Sequence, residues 1–152
     1  MSQQQAQEKQ QGDNNALLEA ILENAEMGEK TLAQILPMNE EEPFHTELLR
    51  QHQFYHQLAG EAELCLTAAG ARPKGQSVLA KGNARLGIAL KTLTDKSTRN
   101  LAQMLSQGSY QGVLDCRKCE TDFVGAAPGT KQLLARLEDF QQDACTRLEQ
   151  YL

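Results

Sequence analysis

The chain has 152 residues, the usual size of one domain, and its 40% of hydrophobic residues is enough to form a sizeable core. Its 20 acidic and 15 basic residues give a formal net charge of −5, which offers no basic surface to a nucleic-acid backbone. No apolar run approaches the ~20 residues that cross a bilayer, and the N-terminus lacks the basic and apolar regions of a signal peptide. The composition therefore predicts a cytoplasmic, single-domain protein that binds neither nucleic acid nor membrane.

The N-terminal segment, residues 1–14, is polar and contains six Gln but almost no apolar side chain. Such a segment cannot offset its ordering entropy by burial, so it is predicted to be a disordered tail. The rest of the chain, residues 15–152, is predicted to be one helical domain. Its first helix is expected from about Asn15 to Leu36, because apolar residues recur there at three- and four-residue steps, and Pro37 ends it.

Three later segments have the same helical periodicity. The second helix is expected from about Pro43 to Ala69, with Gly70 as its C-terminal cap. Another helix begins after the cap residue Ser97 and ends before the Gly125–Gly129 loop, and the last helix spans about Thr130 to Tyr151. Together these segments predict an all-α fold.

A further helix is predicted between the second helix and Ser97, from about Gln76 to Leu93. Joined to the helix after Ser97 it would make a rod of about 70 Å, roughly twice the length of the others. A compact domain cannot contain such a rod, so this segment is better interpreted as a crossover between two helical hairpins.

An internal repeat supports the two hairpins. Five residues of the second helix are echoed 85 positions later in the last helix: Leu48, Leu49, His52, Tyr55 and Ala59 by Leu133, Leu134, Leu137, Phe140 and Ala144. The seven-residue spacing of Ile21 and Gly28 likewise recurs at Leu105 and Gly112. The repeat favours a duplicated hairpin, with an unrelated five-helix packing as the alternative.

Two hairpins joined by a long crossover is the plan of ferritin-like bundles. Gly28-Glu29, the Ala-Gly-Ala-Arg-Pro loop at residues 69–73, and the segment from Leu105 to Gly112 resemble uncharacterised bacterial ferritin-like families of about this length. The resemblance implies an all-α, ferritin-like four-helix bundle of two antiparallel hairpins, joined by a crossover that contains an extra helix. It implies an iron or manganese site only where the carboxylate and histidine motifs are present.

Those motifs are incomplete. A di-iron bundle takes a Glu from each of two helices and a Glu-x-x-His from each of the other two. The one Glu-x-x-His here, Glu42 to His45, stands at the start of the second helix beside Pro43, and the last helix contains no His. The sequence therefore predicts no complete ferritin-type centre.

A weaker metal hypothesis involves the second helix. His45, His52 and His56 fall on one side of it, Glu63 extends the line, and Glu29 of the first helix is expected roughly opposite His52. A His pair four residues apart with a carboxylate is an arrangement that zinc or iron uses, which makes His52, His56, Glu29 and Glu63 candidate ligands. The alternative is that His52 is a core residue whose ring hydrogen-bonds to Glu29 or a backbone carbonyl.

A Cys-x-x-Cys motif at Cys116 and Cys119 is the candidate thiol site, since such a pair at a helix N-terminus holds a low-pKa thiolate. This pair, however, lies four to five turns into its predicted helix. The alternative is that both residues are small packing residues.

Two functions follow from these patterns. The first is a non-catalytic helical module that forms a homo-oligomer or binds a protein partner and needs no cofactor. The second is a divergent ferritin-like protein with iron, zinc or thiol chemistry. The absence of a hydrolase elbow or phosphate-binding loop favours the first.

Overall fold

The structure, a computed structural model, describes residues 2–71 and 90–152. Four α-helices account for most of them: α1 at Gln3–Ile35, α2 at Phe44–Ala68, α3 at Thr98–Asp122 and α4 at Pro128–Leu148. Short 3-10 helices at Leu36–Met38 and Glu149–Tyr151 follow α1 and α4. The predicted all-α fold is confirmed.

The helices form two hairpins that pack on each other. Helix α1 packs chiefly against α2 and α3 chiefly against α4, while α1 also contacts both helices of the second hairpin. The predicted four-helix bundle of two hairpins is therefore confirmed.

None of the helices in residues 2–71 and 90–152 is long and apolar enough to cross a bilayer.

Hydrogen bonds at the two ends of the bundle fix the helix directions. At one end the Asp13 carboxylate of α1 accepts from the amide of Gly125, which follows α3. At the other end Asn39, just after α1, donates to the carbonyl of Lys96 and the hydroxyl of Thr98, where α3 begins. Helices α1 and α3 are thus antiparallel, and the end of α2 and the start of α3 lie at opposite ends of the bundle.

The crossover helix is predicted in the connection between α2 and α3. Its expected range, Gln76 to Leu93, lies outside the described residues except for 90–93. Within these four, Leu90 is helical and belongs to the hydrophobic core, at 3% exposure.

Several predicted helix ends are confirmed. The Ser97 hydroxyl accepts from the amide of Asn100 and caps α3. Gly70, directly after α2, has a φ of 74°, the left-handed conformation that glycine adopts without a Cβ clash. Pro37 lies in the 3-10 turn in which α1 ends.

The predicted start of the first helix at about Asn15 is wrong, because α1 begins at Gln3. Ser2 and Gln5 form a capping box in which each side chain accepts from the other residue's amide, at 3.2 and 3.0 Å. Residues 3–12 are exposed, so burial begins only near the predicted boundary at residue 14. Asp13, which was assigned to the tail, and Asn14 instead bind the α3–α4 loop.

The buried positions of the two hairpins correspond, but in a different register from the predicted one. Every buried residue of α4 lies 86 residues after a buried residue of α2, from Phe44 and Thr130 to Ala62 and Leu148. The predicted offset of 85 residues pairs Leu49 with Leu134, yet Leu49 is 49% exposed whereas Leu134 is buried. Burial thus pairs Tyr55 with Gln141, and Gln51 rather than His52 with Leu137.

Candidate functional site

A cavity of about 690 Å3 opens between α1 and α3. Helices α2 and α4 contribute to it with Gln51, Tyr55 and Gln141. Most of the wall surface is apolar, and eight of the lining side chains are Ile, Leu or Met: Ile21, Met27, Leu32, Ile35, Met104, Leu105, Leu134 and Leu137. A cavity of this size, mostly apolar with a few polar groups, has the character of a small-molecule site.

Two glycines that line this cavity allow bulky side chains to lie against the helix backbone. A Cβ on Gly28 of α1 would meet the Tyr55 ring at 2.7 to 2.8 Å, and a Cβ on Gly112 of α3 would overlap the side-chain amide of Gln141. Gly28 and Gly112 also occupy corresponding positions, 84 residues apart, in the two hairpins. Each hairpin therefore presents one large side chain of its second helix to the cavity through a glycine of its first.

A hydrogen-bonded network joins three helices beside the cavity. The Gln141 side chain donates to the Asn24 amide oxygen at 2.7 Å, and Asn24 donates to the carbonyl of Gly112 at 3.3 Å. The Cys116 thiol donates to the Gln141 amide oxygen at 3.6 Å. These bonds satisfy the polar groups of a buried Gln and fix its rotamer against Gly112.

Tyr55 places a buried hydroxyl group at the cavity. Burial raises the pKa of Tyr55 to about 12, although its side-chain hydrogen bonds with Gln141 and Ser109 act in the opposite direction. The ring is 3% exposed. Tyr55 is therefore uncharged at neutral pH and offers shape and hydrogen bonding rather than proton transfer.

Gln51, one turn before Tyr55 on α2, is the cavity residue with an open hydrogen-bonding position. It is 1% exposed, yet its side-chain nitrogen Nε2 has no hydrogen-bond partner. A buried donor without a partner costs about 1–3 kcal/mol, so groups of this kind are uncommon in native proteins. Gln51 Nε2 is thus free to donate a hydrogen bond to a further acceptor.

The predicted metal ligands lie away from this cavity. His56 Nδ1 is 2.7 Å from a Glu29 carboxylate oxygen on the α1–α2 surface, where His56 is 70% exposed. Glu29 therefore pairs with His56, whereas it was expected to lie opposite His52. The His52 and His56 rings stack on each other, with centroids 6.4 Å apart. Glu63 is exposed. No three His, Cys, Asp or Glu in residues 2–71 and 90–152 are placed to share a metal ion, and metal binding by this set stays a prediction.

The single Glu-x-x-His also has a structural contact. His45 Nδ1 lies 3.0 Å from the backbone carbonyl of Asn39, in the turn between α1 and α2. The Glu42 carboxylate accepts a hydrogen bond from the hydroxyl of Thr46 at 2.6 Å. Both side chains therefore stabilise the start of α2.

The predicted thiol pair lies in the cavity wall. Burial raises the pKa of Cys116 to about 12 and also raises the pKa of Cys119. Both shifts favour the neutral thiol, whereas nucleophilic exchange needs the thiolate. The geometry thus gives Cys116 a role as a hydrogen-bond donor to Gln141.

Four residues of the cavity stand out in the sequence, namely Gly28, Gly112, Tyr55 and Cys116, but its polar residues do not. Asn24, Gln51, Ser109 and Gln141 line it from four different helices. One signal was available: Gln51 and Gln141 stand at positions where the apolar periodicity of their helices requires a hydrophobic residue.

The fold and the cavity together define an all-α four-helix bundle of two packed hairpins. No protein-family model, curated protein or solved structure matches the chain.

Proposed function

We propose that this protein is a non-catalytic binding protein that holds a small, largely apolar molecule in the cavity between α1 and α3. The observation that carries the proposal is the Gln51 side-chain nitrogen, buried and without a partner in the wall of a 690 Å3 apolar cavity. Apolar walls supply affinity and a few fixed polar groups supply orientation, which is the usual design of a ligand pocket.

The ionisable groups buried in the cavity favour binding over catalysis. Acid–base catalysis at neutral pH needs a group whose pKa lies near 7, and nucleophilic catalysis needs an activated nucleophile. Tyr55 and Cys116 have pKa values of about 12. Both are therefore held in their neutral forms.

We also propose that the chain is a divergent ferritin-like bundle of cytoplasmic, bacterial type, built from a duplicated hairpin. The antiparallel α1 and α3, and the position of the end of α2 and the start of α3 at opposite ends of the bundle, agree with that plan. In this proposal the space between the helices takes an organic ligand in place of a metal centre.

A fluorescent probe tests the binding role directly. N-phenyl-1-naphthylamine is uncharged and becomes brighter on leaving water, so titration into the native chain should give a saturable signal with one site per chain. Gly108 lines the cavity, and a Cβ there meets nothing within 4 Å, so Gly108→Leu should fill part of the cavity and weaken binding at least tenfold.

Gly60→Leu is the matched control. Gly60 is also a helical glycine with open space at its Cβ, but it lies outside the cavity. Its variant should bind the probe as the native chain does. Absence of saturable binding, or equal loss in both variants, would contradict the proposed function.

Self-association is the second candidate function. Tyr110 and Leu114, one turn apart on the outer face of α3, are 59% and 38% exposed. Sedimentation velocity over a hundredfold range of concentration tests it: a homo-oligomer that dissociates in Tyr110→Glu would support this function, and a monomer throughout would exclude it.

A further inference from the structure

We propose that the ligand is an uncharged molecule with an apolar chain and a carbonyl or hydroxyl oxygen, and that the cavity discriminates against the carboxylate of the same chain length. This inference rests on the binding role proposed above. It specifies the chemical class of the ligand from the hydrogen-bonding and charged groups of the wall.

The first step concerns the hydrogen bond that the cavity leaves open. Gln51 Nε2 is a donor, so its missing partner is an acceptor atom. The neighbouring amide of Gln141 is not available, because it already bonds to Asn24 and Cys116. A ligand therefore gains most by placing a single oxygen at Gln51.

The second step concerns charge. Among the described residues that line the cavity, the charged ones are Glu23 and Asp115, and both are acidic. No Lys, Arg or His is among the described lining residues, so none of these residues supplies a countercharge to an anion. A buried carboxylate without a charged partner loses its hydration and gains little in return.

The third step concerns the rest of the molecule. Polar side chains of α1 and α3 also line the cavity, but most of the wall surface is apolar, and aliphatic and Met side chains of α1 and α3 contribute to it. Methionine and leucine walls accept flexible alkyl chains without demanding a fixed shape. An alkyl chain with one neutral oxygen satisfies both parts of the wall.

Isothermal titration calorimetry with two probes of equal chain length tests the inference. We expect 2-nonanone to bind the native chain at least tenfold more tightly than nonanoate at pH 7.5. Gln51→Met keeps the side-chain volume but removes the donor, so it should weaken 2-nonanone about five- to tenfold, as expected for the loss of one hydrogen bond.

Gln53→Met is the matched control, because Gln53 is an exposed residue of the same helix. It should leave the affinity for 2-nonanone unchanged. N-phenyl-1-naphthylamine, which has no carbonyl or hydroxyl oxygen, should lose less affinity on Gln51→Met than 2-nonanone does, and its saturable binding would show that the variant still has a cavity.

The outcomes separate the two proposals. If the fluorescent probe binds but nonanoate equals 2-nonanone, or Gln51→Met leaves 2-nonanone unaffected, the assignment of ligand class is wrong and the binding role stands. If neither the fluorescent probe nor 2-nonanone binds the native chain, both proposals fail.

Discussion

The Tyr55 ring of α2 lies against the backbone of α1 at Gly28, at a distance that leaves no room for a Cβ between them. The ring is fully inside the core, and Phe54 and Phe140 lie beside it, with centroids 5.9 and 5.4 Å away. A Cβ on Gly28 would therefore force the ring to shift out of its contacts with these two aromatic side chains.

Gly28→Ala should therefore destabilise the protein. Overpacking of this kind costs about 1–3 kcal/mol, more than the ~1 kcal/mol that alanine gains over glycine in a helix. Gly60→Ala, where a Cβ meets nothing within 4 Å, should instead stabilise the protein by up to about 1 kcal/mol. Urea unfolding followed by circular dichroism measures both, and equal effects of the two substitutions would contradict the close approach at Gly28.

Gly112 depends on Gln141 in the same way. Gly112→Ala should displace the Gln141 side chain and break its 2.7 Å bond to Asn24, at a cost of about 1–3 kcal/mol. In a Gln141→Ala background the obstructing side chain is absent, so the same substitution should cost at least about 1 kcal/mol less. A double-mutant cycle by urea unfolding tests this, and a cost independent of Gln141 would refute the contact.

Tyr55 should make the protein sensitive to alkali. Its pKa is raised from 10.0 to about 12 on folding, so the folded state holds the proton more tightly than the unfolded state. The resulting stability is fully present below pH 10 and is lost as the pH rises from 10 to about 12, with a total change of about 3 kcal/mol.

Tyr55→Phe should remove that part of the alkaline loss. The free energy of unfolding measured between pH 9 and 12 should fall less steeply in the variant than in the native chain. A residual fall remains because Cys116 also has a raised pKa, from 9.0 to about 12. Identical slopes in the two proteins would show that Tyr55 does not ionise in this range.

Gln51 should reduce stability in the absence of ligand. Replacing a buried donor that lacks a partner by an apolar group of similar volume removes its desolvation cost, so Gln51→Met should raise the free energy of unfolding by about 1 kcal/mol. Gln53→Met, on the exposed face of α2, should change it by less than about 0.5 kcal/mol. A destabilised Gln51→Met would mean that the amide already has a partner in the folded chain.

The four thiols should differ sharply in reactivity. Cys65 is exposed, whereas Cys116 is 1% exposed and its pKa is raised to about 12. At pH 8 iodoacetamide should modify Cys65 first and Cys116 last, on a timescale set by opening of the bundle. Peptide mass spectrometry at successive times follows the order, and modification of Cys116 as fast as Cys65 would restore the thiol hypothesis.

Local signals in the sequence predicted much of the fold. Ser97 and Gly70 were identified as caps because hydroxyl and glycine residues satisfy helix ends in a way that depends on a few neighbouring residues. The apolar pattern of the second helix, which begins at Leu48, recurs in the last helix from Leu133, and this repeat predicted the two hairpins. The pattern is visible in the sequence because buried residues recur about once per helical turn. Such features need no knowledge of distant contacts.

The errors arose where distant contacts decide. Leu49 and Leu134 were aligned because both are leucines, yet packing exposes the first and buries the second. Asp13 was assigned to a disordered tail because its polarity says nothing about the loop amide of Gly125 that it binds. Composition cannot show such a partner, which is 112 residues away in the chain.

The candidate site was predictable only in part, because a cavity is a property of four helices together. Gly28 and Gly112 were found through their repeated spacing, but Asn24 resembles an ordinary surface residue in the sequence, and Gln51 only interrupts the apolar periodicity of its helix. Their role depends on which side of the helix the partner helices cover, and that is settled only by the packing of α1 against α3.

The most direct test of the central claim is a nitrogen–proton correlation NMR titration of the labelled chain with N-phenyl-1-naphthylamine. Glycine amides resonate in a separate region, and the bound aromatic rings should shift the signals of Gly28, Gly108 and Gly112, which line the cavity. Gly60 and Gly129, which do not line it, should keep their positions. Saturable shifts confined to the cavity glycines are the predicted result, whereas shifts at Gly60 and Gly129 alone, or none, would contradict a binding site between α1 and α3.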